Sequence, residues 1–481
     1  PSTQTPTPTE TMPRSLLALT VLAALCSAAA DQYSTGASVQ LFEWSWKDVA
    51  DECETYLSAK GFKAVQISPP QEHIQGSPWW TRYQPVSYNL TSRSGNEEEF
   101  IGMVKRCSNS GISIIADAVI NHMADGSGVG TAGSPYGSRT FTLYSPSDFH
   151  HLAGDEAHNC QVDDYSDKNN VQNCDLVSLP DLDTASPYVQ NTIAAYINRL
   201  ASLGVRGIRI DAAKHQDDAQ MSAITKQLPA DFYVGQEVIS GAGEAVTPNM
   251  YYATGQVSEF NYAAFLDPNI ITEHKMAYLQ TFGEAWGLMP EQYAVSFLDN
   301  HDTQRNGAAL LTYKDGDLYT FANMFMLSWP YGNARVMSSY YFSNTDQGPP
   351  SVGVEGGLKC MDGQNWVCEH RWTPIGNMVA WRNAAGTAAV ENWTTGNDNQ
   401  IAFSRGAAFI AFNRDPNNAW VSSGLQTGLK AGTYCNVLNA HDADADTPKC
   451  ASTVTVDGSG VMQSVTVEKL SAVGIHVNAM L

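Results

Sequence analysis

From residue 38 onward the chain alternates between short apolar runs and longer segments whose apolar residues recur at helical spacing. The short runs fall at 39–42, 64–67, 112–116, 205–210, 232–234, 256–260, 294–298 and 334–337. Between the third and fourth of them, residues 188–203 set Val189, Ile193, Tyr196, Ile197, Leu200 and Leu203 on one helical face, and Gly204 supplies a stop. Parallel strands need a long crossover, so this alternation is the pattern of βαβ units. Eight units predict an α/β fold, a closed (β/α)8 TIM barrel.

Two stretches break the pattern. Residues 121–182 are rich in Gly, Asn, Asp and Ser and lack a helical period. A structureless loop of that length inside a domain is rare, so a small domain inserted after strand 3 is expected. After about residue 394 the runs become β-like and are separated by Gly and Asn turns, which predicts a C-terminal antiparallel β-sandwich. The resulting division is 31–121 and 183–393 for the barrel, 122–182 for the insertion and 394–481 for the sandwich.

Residues 1–30 read as a leader and signal peptide. Met12-Pro13-Arg14 precedes an apolar run at 16–26 and the small residues Ser27 to Ala30, with cleavage expected after Ala30. The rival reading is a membrane anchor, but the run is shorter than the ~20 residues a span requires. Signal processing implies a secreted, extracellular protein. In that compartment the eight cysteines beyond Cys26 form an even set. Sequence neighbourhood suggests pairs Cys160 with Cys174, Cys360 with Cys368 and Cys435 with Cys450, which leaves Cys53 with Cys107; a zinc site would need a CxxC that is absent. Sequons begin at Asn89 and Asn392.

Asp and Glu number 49 against 27 Lys and Arg, a formal net charge of -22. Such a chain repels phosphate backbones and anionic lipid, so neither nucleic acid nor a membrane is an expected partner. A neutral ligand fits better, and several of the 11 tryptophans lie beside Gly, Pro and polar residues, where rings can stack on sugars. The chain is expected to act as a monomer.

Active sites of such barrels lie at the C-terminal ends of the strands, so carboxylates that directly follow the strand runs carry most weight. Asp211 ends Gly207-Ile208-Arg209-Ile210-Asp211, Glu237 follows Val234-Gly235-Gln236, and Asp302 ends Phe297-Leu298-Asp299-Asn300-His301-Asp302. Any one alone reads as a solvated strand end. Together with Asp117-Ala118-Val119-Ile120-Asn121-His122 and the extension Ala212-Ala213-Lys214-His215, they form an ordered set of four motifs.

That set resembles the α-amylases of the glycoside hydrolase superfamily, in particular the chloride-dependent animal-type branch, from about residue 33 to the C-terminus. The resemblance implies endo-hydrolysis of α-1,4-glucosidic bonds in starch and glycogen with retention. Asp211 would be the nucleophile, Glu237 the general acid/base and Asp302 the transition-state stabiliser. Retention needs one ionised carboxylate and one protonated carboxyl. Nearby charge and burial would raise the pKa of Glu237, while Arg209 would keep Asp211 ionised.

By the same resemblance, calcium would be held by Asn121, Gln172, Asp181 and His215, with Gln172 and His215 giving backbone carbonyls. Gln172 stands where animal enzymes commonly have Arg. Chloride would be held by Arg209, Asn300 and Arg335. The α-glucan would be met by Trp79, Trp80, Tyr83, Gln84, His122, Tyr165, Arg209, Lys214, His215 and His301. After Asp302 the chain reads Thr303-Gln304-Arg305-Asn306-Gly307, without the Gly-rich, His-bearing loop of many animal enzymes. Altered subsite affinity or product pattern is the expected consequence. Transglycosylation, α-1,6 cleavage and a catalytically silent glucan-binding role are the rival readings; retention of all three acids argues against the last.

Overall fold

The computed structural model describes residues 36–272, 275–439 and 450–481; the leader read over 1–30, with Cys26, lies outside the described residues. Eight parallel strands close into a barrel: β1 (Ala37–Leu41), β2 (Ala64–Ile67), β3 (Ser113–Ala118), β4 (Gly207–Ile210), β5 (Tyr233–Gln236), β6 (Gln256–Ser258), β7 (Ala294–Ser296) and β8 (Asn333–Ser338). Each pairs with the next, and β8 pairs with β1. Every short run carries one strand, with ends displaced by up to two residues. These strands are buried on both faces, which is why they read as near-continuous apolar runs.

The main outer helices are α1 (Trp46–Glu52), α2 (Glu97–Asn109), α3 (Pro187–Ser202), α4 (Asp218–Thr225), α5 (Asn261–Ile271), α6 (Asp317–Ser328) and α7 (Thr373–Ala385). Local signals set their starts. Asn96 and Glu99 form a reciprocal capping box at α2, and Pro187 opens α3. The expectation of eight strand-and-helix units needs one correction: between β5 and β6 the described chain has a 3-10 turn, Pro248–Tyr251, in place of an α-helix. Gly241, Gly243, Pro248 and Gly255 crowd that connection, and Gly and Pro are the poorest helix formers.

Between β3 and α3 the chain leaves the barrel. It forms a short hairpin (Ser127–Val129 with Pro135–Gly137), a one-and-a-half-turn helix (Lys168–Asn173) and the Cys160–Cys174 disulfide. The neck of this excursion is closed by antiparallel bridges between His122 and Asp181 and between Phe149 and Leu182. The other bridges are Cys53–Cys107, Cys360–Cys368 and Cys435–Cys450, so the three pairs suggested by neighbourhood and the one left over are all present.

At the C-terminus, strands Glu391–Asn397, Gln400–Arg405, Ala408–Asn413 and Ser471–His476 make one antiparallel sheet, and the remaining short strands cover it. Its residues alternate between two cores. Ile401, Phe403, Ala408, Ile410 and Phe412 join the barrel core, while Ala402, Phe409, Ala411, Val473 and Ile475 face the covering strands. Phe412 packs edge-on against Phe321 of α6, and Trp381 of α7 donates to the Phe409 carbonyl at 2.9 Å.

Candidate active site

Asp211, Glu237 and Asp302 follow β4, β5 and β7 at the C-terminal mouth of the barrel. The ladder continues just past the strands, with Asp211 N donating to Ala118 O (3.1 Å) and Glu237 N to Ile210 O (3.0 Å), so their backbones are fixed. Inside the barrel, register sets Asp117 beside Arg209 and Arg209 beside Gly235. The buried Arg209 gathers the acids. Its Nη1 lies 2.8 Å from Asp117 Oδ1 and 2.6 Å from Asp211 Oδ1, and its Nη2 lies 3.0 Å from Glu237 Oε2.

Ala212 adopts a left-handed conformation (φ 48°), unusual for a residue with a Cβ, and its N–H reaches Glu237 Oε2 at 2.8 Å. Asp302 sits beside His301. The Gln40 amide donates to His301 Nδ1 (3.0 Å), so the proton of the neutral ring is on Nε2, 3.2 Å from Asp302 Oδ2. Burial and the charges of Arg209, Arg305 and Arg335 hold the His301 pKa well below its ordinary value.

Arg209 does contact Asp211, as the sequence suggests, but it does not set the balance. Burial outweighs it, and with Glu237 and Asp117 nearby the Asp211 carboxyl is pushed well above the usual carboxylate range. Burial, with Glu237, likewise pushes Asp302 up to about 7, and burial raises Asp117. A cluster of buried acids around one guanidinium retains a proton near neutral pH, and that proton belongs to the group rather than to one residue. This is the condition for acid-assisted bond cleavage.

The candidate sugar contacts fall into two walls. On one, the Tyr83 ring stacks on His301 at 4.9 Å and Trp79 meets both rings edge-on; Trp80 is 36% exposed beside them. On the other, Lys214 Nζ lies 4.4 Å over the Tyr165 ring and 2.5 Å from Glu244 Oε2, and Tyr165 meets His215. His122 lies below the first wall, with Nε2 at 2.9 Å from the Tyr83 carbonyl and Nδ1 at 3.2 Å from the Asn121 amide nitrogen. Gln84 Oε1 accepts from Asp125 N.

The candidate calcium residues gather at the neck of the excursion. Leu182 N donates to Asn121 O and Met123 N to Pro180 O, which sets Asn121 and Asp181 side by side. Both are buried, and Asn121 Oδ1 and Asp181 Oδ1 have no hydrogen-bond partner among the described residues. Buried oxygens without a donor suit a hard cation. His215 Nδ1 meets Val171 O (2.8 Å) and the Gln172 amide donates to Gln216 O (3.1 Å), so the segments offering the two backbone carbonyls also adjoin.

Of the candidate chloride residues, Arg209 and Arg335 line a small cavity of about 20 Å³ inside the barrel, with Gln66, Gly235 and Asn333. That is room for one small ion or water. Arg335 has no carboxylate within ion-pair distance among the described residues; it donates to Gln66 Oε1 at 2.7 Å, and burial and Arg209 lower its pKa to about 10. Asn300 does not line this cavity; its Oδ1 accepts from Asp302 N and Thr303 N.

Sequence reasoning assigned no role to Asp117, Glu244 or Arg305. Asp117 lies in the first motif, and that position was the available signal; its partners, Arg209 and the Tyr83 hydroxyl (2.9 Å), come from other strands and loops.

Acidic side chains from separate strands meeting around a guanidinium at the mouth of a (β/α)8 barrel, flanked by exposed rings, define a glycoside hydrolase. Residues 51–251 match the family model "Alpha amylase, catalytic domain" and residues 391–478 match "Alpha amylase, C-terminal all-beta domain". The chain is 44% identical over 442 residues to an α-amylase of Streptomyces violaceus, covering 91% of this chain and 73% of that one. It is 42% identical over 478 residues to an α-amylase of Tenebrio molitor, covering 92% and 97%. Among solved structures, α-amylase I of Eisenia fetida superposes with TM-score 0.83 at 36% identity, covering 92% and 97%. The chain belongs to the α-amylase family and resembles its animal-type members.

Proposed function

We propose that this protein is a secreted, endo-acting α-amylase that cleaves internal α-1,4 bonds of starch and related α-glucans with retention. The observation that carries the reading is the meeting of Asp211 and Glu237 on the two terminal nitrogens of Arg209. Asp211 attacks the anomeric carbon while Glu237 protonates the leaving oxygen, and Glu237 then takes a proton from the water that releases the glycosyl group. Asp302, close in charge to Glu237, stabilises the positive charge of the transition state.

Calcium, on Asn121, Gln172, Asp181 and His215, would tie the excursion to the barrel; the unpartnered buried oxygens support it. Chloride would balance Arg209 and Arg335, supported by their shared cavity and by the lack of an acid partner for Arg335 among the described residues. We assign 31–121 and 183–393 to the barrel, 122–182 to a calcium-associated domain and 394–481 to the sandwich. Four disulfides support secretion.

The test is a soluble-starch digest, with products sized and their initial anomeric form read by NMR, with and without calcium and chloride. Mixed oligosaccharides of α form are expected, with activity lost on chelation and restored by calcium. Glu237→Gln should keep glucan binding and lose turnover by more than about a thousandfold. Hydrolysis surviving in that variant would remove Glu237 from the mechanism.

A further inference from the structure

Arg305 lies three residues beyond Asp302, on the single-turn helix Thr303–Asn306. Its guanidinium carbon is 4.3 Å from the ring centre of Phe342, 5.1 Å from those of Phe42 and Tyr340, and 5.5 Å from that of Trp79. The residue is 8% exposed, and its Nε and Nη2 have no hydrogen-bond partner among the described residues. The four rings come from the loops after β1, β2 and β8 and the cation from the loop after β7, so four loops converge on one charge. A buried cation that has ring faces around it and no carboxylate partner among the described residues is expensive to keep, and an aliphatic side chain would fill the same space.

What the charge touches explains its place. Arg305 Nη1 donates to the His301 carbonyl at 2.8 Å, and the Arg305 backbone N–H donates to the Asp302 carbonyl at 2.9 Å, so one residue clasps the backbone on both sides of Asp302. Through Trp79, whose Nε1 donates to Thr345 O at 2.8 Å, it also braces the exposed aromatic wall. The groups facing Asp302 are Glu237 after β5, Arg209 on β4, Asp117 on β3, Tyr83 after β2, and His301 and Arg305 beside it. Arg209 is already divided among three carboxyls. Of the two cations that face Asp302, Arg305 is the one without a carboxylate at ion-pair distance among the described residues.

We propose that Arg305 is a positioning residue for the reaction, fixing Asp302 and the Trp79 wall in one rigid frame and favouring the ionised form of Asp302. This rests on the assignment of Asp302 as stabiliser. Arg305→Met keeps the length and removes the charge and the side-chain half of the clasp, the bond to the His301 carbonyl. With the near-UV circular dichroism unchanged, kcat on malto-oligosaccharides should fall by about tenfold or more. The acid limb of kcat/KM should move up by about half a pH unit, because a cation beside a carboxylate has been lost. Arg305→Lys should return the acid limb to its wild-type place.

A folded Arg305→Met enzyme with wild-type kcat and acid limb would overturn the proposal, as would identical pH profiles for the Lys and Met variants. Should Arg305→Met not fold, Phe342→Leu removes the nearest ring and leaves Asp302 intact; it should move the same limb in the same direction, and an unmoved limb is disproof. Asp302→Asn measured alongside separates the two readings. An active Asp302→Asn sinks the stabiliser assignment and this proposal together. An inactive one beside an unaltered Arg305→Met sinks the positioning role alone.

Discussion

Asp117 is fully buried and accepts from both Arg209 and Tyr83, so it acts on the reacting acids through charge rather than by contact with sugar. Replacing it by Asn removes one negative charge from the cluster and frees Arg209 for Asp211. Both effects weaken the hold of Asp211 on a proton. Asp117→Asn should therefore move the acid limb of the kcat/KM profile to lower pH, by about half to one unit, and cost about tenfold in kcat. A shift to higher pH would contradict the electrostatic account. The meeting of Asp211, Glu237 and Asp302 at the barrel mouth was legible in the sequence because each follows a strand run inside a motif. Asp117 and Arg305 were not given roles, because their work depends on side chains meeting across the barrel, and no local spacing encodes such a meeting. The upward push on the Asp211 carboxyl was hidden for the same reason: Arg209 two positions away is visible in sequence, whereas the depth of burial is not.

At the level of elements, the barrel was readable because strands covered on both faces leave uninterrupted apolar runs. The connection from β5 to β6 was less so: its Gly and Pro residues break the helical period, but the closeness of its last turn is set by packing. Gly255 shows how close that packing is: a Cβ there would lie 2.3 Å from the Val234 carbonyl oxygen. Gly255→Ala should force β5 and β6 apart and cost about 1–3 kcal/mol, seen as a lower Tm, with reduced activity because Glu237 rides on the end of β5. An unchanged Tm would show that the strands yield freely. The excursion after β3 was legible as an insertion but its internal elements were not, because bridges between distant residues and a disulfide hold it instead of periodic apolar faces.

Across the whole molecule, acids outside the cleft are also buried. Asp299 accepts from Tyr319 and Gln304 and is pushed up to about 7, and Glu369 is pushed up to about 8, each chiefly by burial. Raised carboxyls keep protons in the folded chain that the unfolded chain has released, so the native state binds more protons between about pH 4 and 8. Stability should therefore fall as pH rises through that window, and remain fullest below it with respect to these two groups. Tm measured from pH 5 to 9 should decline, and Glu369→Gln should flatten the decline at the alkaline end; a wild-type slope in that variant would remove Glu369 as a cause. The C-terminal sheet has a further consequence. Alternate residues of Ala408–Asn413 belong to different cores, one shared with the barrel and one with the covering strands. The segment from Glu391 onward is thus no detachable appendage: a chain ending near 390 would leave the flanks of α6 and α7 as a bare greasy surface, and a minimal catalyst made by trimming would be prone to clump before it could be assayed.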